Sequence, residues 1–178
     1  MNYFSLLYLG IFSLLISILS FLNIIYSYYF NLYLSIDSYV YSLITSLIFG
    51  SFFLFKGKNN NKINIYHKIL TVILGYFFLP LILSIPFYFS IYNLTFLNSF
   101  FESISGFTST GFTIFSNIKN IDQSLILWRS STQWIGGLYF LFSIIFLIDI
   151  YDENLKKTLT NFISFDSSEI FKQAIKIF

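Results

Sequence analysis

Residues 100–113, FFESISGFTSTGFT, hold most of the groups in this sequence whose types and spacing suit chemistry. That chemistry is coordination of a dehydrated cation, not bond making. Thr108, Ser109, Thr110 and Thr113 place hydroxyls around Gly111, which has access to backbone angles closed to other residues. Such angles turn successive carbonyl oxygens to one side, where they can replace an ion's hydration shell. The hydroxyls then brace the turn or add acceptors. On spacing alone, an ordinary Ser/Thr-rich surface turn is a serious rival. No catalytic dyad, metal cluster or phosphate loop competes elsewhere, so an enzyme is disfavoured. There is no cysteine, which removes disulfides and thiolate metal sites. His67, the single histidine, sits at the edge of a Lys-rich loop, where an interfacial side chain is the commoner role.

The solvent for such a turn follows from composition. Hydrophobic residues make up 56% of the chain and charged residues 10%, with a mean hydropathy of +0.75. A soluble domain carries charge on about a quarter of its residues, so lipid is the expected surrounding. The 25 Phe and 14 Tyr fit a chain whose rings meet tails and headgroups, though codon bias explains part of the Phe. A net charge of +2 argues against nucleic acid as a partner.

Four apolar runs can position the turn. Residues 3–29 are uncharged and long enough for one span at about 20 residues each. A cleaved leader fits less well, having neither a basic start nor a small-residue cleavage site. A short turn containing Asp37 precedes the second run, residues 38–55. Lys56, Lys58, Lys62 and Lys68 then fall in residues 56–68, a solvated loop that also orients the chain, because Lys-rich loops stay cytoplasmic. This puts the N-terminus inside and the Asp37 turn outside. The third run, residues 69–92, contains Pro80, read as a kink, and Pro86, read as the outer end of the helix. The Asn93-Leu94-Thr95 sequon beyond it is read as chance. The fourth run, residues 130–148, returns the chain to the cytoplasm.

Between the third and fourth runs, a helix capped by Thr95 or Asn98 and ending near Ser109 is too short to span. At 1.5 Å per residue it covers about 18–22 Å of a roughly 30 Å hydrocarbon core. It must enter and leave from one side, and helix-breaking backbone at that depth is tolerated only inside protein or facing water. A helix C-terminus aimed at mid-membrane also favours a cation. The fold expected is therefore all-α and integral to the membrane, with four transmembrane helices and one re-entrant pore helix and filter loop between the third and fourth. Residues 1–55 form two N-terminal spans, 56–68 the cytoplasmic loop, 69–150 a membrane–pore–membrane repeat, and 151–178 a cytoplasmic amphipathic tail or the lead-in to a missing span.

These residues, followed by residues 124–137, SLILWRSSTQWIGG, resemble the first pore repeat of the Trk/Ktr/HKT potassium transporter superfamily. The family pattern runs close to FFE-x-x-SGFTTTGAT, then W-R-x-x-x-QW-x-GG. Here Phe100, Phe101, Glu102, Ser105, Gly106, Phe107, Thr108, Thr110, Gly111 and Thr113 stand in register, and then Trp128, Arg129, Gln133, Trp134, Gly136 and Gly137. The match is tight over residues 84–137 and topological before that. It implies four linked repeats around one potassium pathway, each giving one filter strand. In this chain the strand centres on Gly111, with the carbonyls of Ser109, Thr110 and Phe112 flanking it. Glycine at that point is associated with potassium and serine with sodium. Ser109 and Phe112 depart from the pattern's Thr and Ala, and the bulk of Phe112 leaves the filter width open.

The resemblance also sets expectations for the surroundings. Glu102 is either a rim group satisfied by water or a brace behind the filter, bonded to its amides or paired with Arg129. For Arg129, interfacial snorkelling competes equally. Trp128 and Trp134 are expected as interfacial anchors and packing groups. Gly136 and Gly137 are expected to permit close helix contact. In the tail, Asp166, Ser167, Ser168 and Glu169 form a capping box before Ile170, Phe171, Ala174, Ile175 and Phe178 at helical spacing. The expected cargo is K+, with flux passive or coupled to Na+ or H+, and no covalent cofactor. The expected partners are the bilayer, further pore repeats or copies of this chain, and a cytoplasmic nucleotide-binding regulatory subunit. The expected location is a bacterial inner (plasma) membrane. One filter segment where the family uses four suggests an N-terminal fragment, with a homotetrameric channel or a non-conducting membrane fragment as the alternatives.

Overall fold

Two helices open the chain, α1 (Phe4–Tyr29) and α2 (Ile36–Lys56), joined by a short 3-10 turn at Tyr33–Ser35. The computed structural model describes residues 4–57, 65–90, 92–118 and 121–148. Most of the Lys-rich loop and the whole tail, with its expected capping box, therefore lie outside the described residues. The chain divides into two compact units, Met1–Phe142 and Ser143–Phe178, and the described part of the second is helical through Ile148.

Close approaches show how α1 and α2 run. A Cβ added to Gly57 would meet Leu7, one on Gly10 would meet Leu54 and the Gly50 carbonyl, and one on Gly50 would meet Leu14. As the number rises on one helix it falls on the other, so the pair is antiparallel. Serines make this closeness possible. Ser13, Ser17, Ser20, Asn23 and Ser27 on α1 and Ser38, Ser42 and Ser46 on α2 are all buried, at helical spacing along one face of each helix. Small side chains let backbones approach in a membrane. Their hydroxyls mostly stay within their own helix: Ser13 donates to the Leu9 carbonyl, Ser20 to Ile16, Ser38 to Ser35 and Ser46 to Leu43. One bond crosses the seam, Ser20 to Ser42 at 3.1 Å.

Past Gly57 the chain continues as α3 (Ile65–Leu83) and the single turn α4 (Ile85–Tyr88). Pro80 lies inside α3, as the sequence suggests, but the break falls at Ser84, ahead of Pro86. Proline has no amide to donate to the carbonyl four residues back and fits the first turn of a new helix, which is where Pro86 sits. Then come α5 (Phe96–Phe107) and α6 (Gln123–Ile148). Among the described residues the secondary structure is entirely helical. Among the described residues, three segments are long and apolar enough to cross a membrane: Leu6–Tyr29, Tyr33–Lys56 and Lys68–Tyr88. Their outward residues, such as Ile18, Phe21, Ile48, Phe52, Ile73 and Phe77, are apolar and exposed, which a water-soluble helix bundle would avoid.

The buried centre joins the helix pair to the later elements. Phe12 and Ile16 of α1, Tyr39 of α2, Leu79 and Leu83 of α3, Phe107 of α5, and Leu125, Trp128, Ile135 and Tyr139 of α6 form one cluster. Trp128 is fully buried and donates its indole N–H to the Leu83 carbonyl at 3.1 Å, at the end of α3. It is therefore a core residue and not an interfacial anchor, whereas Trp134 is exposed. Polar bonds add to this junction. Asn23 Nδ2 donates to the Ser124 carbonyl, the Tyr39 and Ser124 hydroxyls lie 3.0 Å apart, and Ser124 and Ser35 both reach Asp122.

Candidate functional site

Thr95 caps α5, its side chain accepting from the Asn98 amide, and the helix then runs for 12 residues. That is about 18 Å of rise. Ser103 fixes α5 to α3 by donating to the Pro80 carbonyl at 2.7 Å. Against α6 the approach is closer still. A Cβ on Gly106 would strike the Thr132 hydroxyl, and one on Gly136 would strike the Phe107 carbonyl. These glycines let α6 lie directly on the C-terminal end of α5.

The end of α5 explains the turn that follows. The Ser109 amide donates to Gly106 O at 2.9 Å and the Thr110 amide to Ser105 O at 3.1 Å. This is the Schellman pattern, in which the residue beyond the cap adopts a left-handed conformation. That residue is Ser109, with φ +56°, where glycine is usual. Serine is unbranched at Cβ and takes such angles with less strain than the pattern's threonine. Gly111 follows at φ +78°, and its amide also points at Ser105 O, at 3.4 Å. Nothing lies within 4 Å of where its Cβ would be, so its conformation and not its size requires glycine. The amides of Ser109, Thr110 and Gly111 thus turn back onto the helix. Among the described residues, no hydrogen bond ends on the carbonyl oxygens of Thr108, Ser109 or Thr110.

The outgoing segment is held differently. Phe112 O accepts from Ser105 Oγ at 2.7 Å. The Thr113 hydroxyl donates to both Glu102 oxygens, at 3.0 and 3.1 Å, and the Ile114 amide donates to Glu102 Oε2 at 3.0 Å. Glu102 is fully buried and ion-paired with Arg129, whose Nε lies 2.6 Å from Oε1. Arg129 Nη2 also reaches Gly111 O at 3.3 Å and Phe112 O at 3.5 Å. Burying a carboxylate is costly unless it is paired and hydrogen-bonded, and both conditions are met here.

The expected residues therefore come together. Glu102, Arg129, Gly111, Phe112 and Thr113 share one bonded network, while Thr108, Ser109 and Thr110 form an exposed turn beside it. Sequence reasoning gave Ser105 no role, yet its hydroxyl binds Phe112 O and contacts the Thr110 hydroxyl. Its signal is its place one helical turn after Glu102. The Phe112 side chain is 70% exposed, while its carbonyl belongs to the network.

The chain matches the family model described as TrkH, cation transport protein, over residues 35–162. It is 31% identical over 124 residues to an uncharacterized cation transporter of Methanocaldococcus jannaschii, covering 70% of this chain and 26% of that one. It is 42% identical over 60 residues to the Trk system potassium uptake protein TrkI of Halomonas elongata, covering 34% and 11%. To the Trk system potassium uptake protein TrkH of Escherichia coli it is 37% identical over 70 residues, covering 39% and 14%. The chain thus spans about a quarter or less of the length of these relatives. No solved structure matches it significantly. With the family model covering well over half of its residues and several helices suited to lipid, this multi-pass membrane protein belongs to the TrkH family of cation transport proteins, a family of transporters and not of enzymes.

Proposed function

We propose that this chain forms one wall of a potassium pathway across the plasma membrane. In this reading α6, about 39 Å long from its 26 residues, is the fourth crossing. Helix α5 enters from outside and stops partway, because about 18 Å falls short of a roughly 30 Å core. The Lys-rich loop places the N-terminus inside and the turn after α1 outside. The oxygens of Thr108, Ser109 and Thr110 face the ion, while Gly111, whose oxygen meets Arg129, leads into Phe112 and Thr113, which carry the strand back outward. Glu102 and Arg129 brace that strand from behind. No covalent chemistry is involved; the cation exchanges water for peptide oxygens. Further repeats or further copies of this chain complete the ring, flux is passive or coupled to Na+ or H+, and a cytoplasmic nucleotide-binding subunit is the regulator.

The observation that carries this reading is the set of unengaged carbonyls at Thr108, Ser109 and Thr110, on a turn whose amides are tied back to α5. The names of the relatives supply the cation: TrkI and TrkH, named above, are both potassium uptake proteins. Expressed with its native companion repeats in cells lacking potassium uptake, the protein restores growth at low external potassium, and Gly111→Arg abolishes the rescue. Rescue that survives Gly111→Arg would overturn the proposal.

A further inference from the structure

The carbonyls that end α3 support the elements that follow it. A helix leaves its last carbonyls short of partners, and here side chains supply several of them. Leu81 O accepts the Ser84 hydroxyl at 2.7 Å, and Leu83 O accepts the Trp128 indole. The Pro80 carbonyl takes two donors. One is the Ser84 amide at 2.9 Å, and the other is the Ser103 hydroxyl of α5 at 2.7 Å.

Ser103 behaves unlike the serine one turn before it. Ser99 is also fully buried, and its hydroxyl goes back to the Thr95 carbonyl. Ser103 has the same kind of local acceptor in Phe100 O, at 3.0 Å, yet its shorter line runs to another helix. Among the described residues this is the hydrogen bond that joins α5 to α3. Beside it the two helices meet through rings, Phe100 with Phe77 and Phe107 with Tyr76, at centroid separations of 5.9 and 5.7 Å. Packed rings slide past one another at little cost, whereas a hydrogen bond weakens steeply as its angle closes.

Two pins therefore hold α5 at one height. Glu102 is tied to Arg129 of α6, and Ser103, about 100° further round the helix, is tied to Pro80 of α3. One pin lets a rod pivot; two on different sides fix both its depth and its rotation. From Ser103 to Thr108 is about 7.5 Å of rise along the helix and its cap. A shift at the pin is thus passed directly to the unengaged carbonyls of the turn.

We infer that Ser103 is a positioning residue for ion discrimination: its bond to the Pro80 carbonyl sets the depth and rotation at which α5 presents the oxygens of Thr108, Ser109 and Thr110. This inference rests on the proposed ion pathway and adds what fixes its geometry on the α3 side. The family pattern leaves position 103 open, so the role is read from the contact and not from the motif.

Rubidium and sodium uptake are measured in competition, in cells lacking potassium uptake that express the protein with its companion repeats. Ser103→Ala is expected to lower the preference for rubidium about tenfold, equivalent to roughly 1.4 kcal/mol in relative barrier. Its detergent melting temperature should move no more than that of Ser99→Ala, which removes a buried hydroxyl that stays within α5 and leaves the preference unchanged. Ser103→Thr keeps the hydroxyl and retains most of the preference. An unaltered preference in Ser103→Ala, an equal loss in Ser99→Ala, or a loss in Ser103→Thr as large as in Ser103→Ala would each overturn the positioning role. Those results leave the turn intact as the ion-binding element. The turn fails separately, if Gly111→Arg still transports.

Discussion

The seam between α1 and α2 and the network around Glu102 both bury polar side chains, and they do so in opposite ways. In the seam the groups are mostly neutral serines, and Ser13, Ser20 and Ser46 bond within their own helix, three or four residues back. Such bonds satisfy the hydroxyl without committing the partner helix. The seam is polar in composition but its cohesion comes from close backbone packing. Around Glu102 the bonds reach far along the sequence: 11 residues to Thr113, 12 to Ile114 and 27 to Arg129. There the side chains hold a shape that the irregular backbone of residues 112–114 has no ladder of its own to maintain. Serine content therefore says little about where polar groups determine structure; the reach of their bonds does.

Three substitutions test that contrast. Glu102→Ala should have the largest effect, because it strands the Arg129 guanidinium and frees both Thr113 and Ile114. Breaking a buried pair costs about 3–5 kcal/mol, which should appear as a marked drop in the detergent melting temperature, only partly restored in Glu102→Gln. An unchanged melting curve would mean that the network is ornamental. Gly136→Ala should come next, forcing the methyl group against the Phe107 carbonyl and separating α5 from α6 at a cost of about 1–3 kcal/mol. Ser42→Ala should be smallest, since it removes a single cross-seam bond worth about 0.6 kcal/mol in a membrane. If Ser42→Ala rivalled Glu102→Ala, the seam would be held by its hydroxyls and the comparison would fail.

Much of the helical layout was legible because span length is a blunt signal. The run at residues 3–29 and that at 38–55 coincide closely with α1 and α2, and the Thr95 cap is where the side-chain chemistry places it. Finer features were hidden for identifiable reasons. The start of α6 at Gln123, seven residues ahead of the uncharged run, is masked by Arg129, a charge that ends an apolar run on composition alone. Its partner Glu102 comes from elsewhere in the chain, which no local window reveals. A signal was present even so: Asp122 accepts from the Ser124 amide and hydroxyl, as a residue ahead of a helix should. The serine seam was legible as a period, but apolar residues between the serines dominated the hydropathy. The left-handed Ser109 had no signal of its own, because serine rarely marks such a position. Gly136 and Gly137 looked alike in sequence, and only a neighbouring backbone tells them apart.

The way α5 stops has a corollary for the sign of whatever meets the turn. The amides of Ser109, Thr110 and Gly111 are spent on closing the helix, so on the proposed ion pathway an anion arriving at these three residues would find none of their backbone donors free. On that reading, discrimination by charge is inherited from a local folding event, without need of an acidic residue, and depends on the backbone bend more than on the hydroxyl side chains.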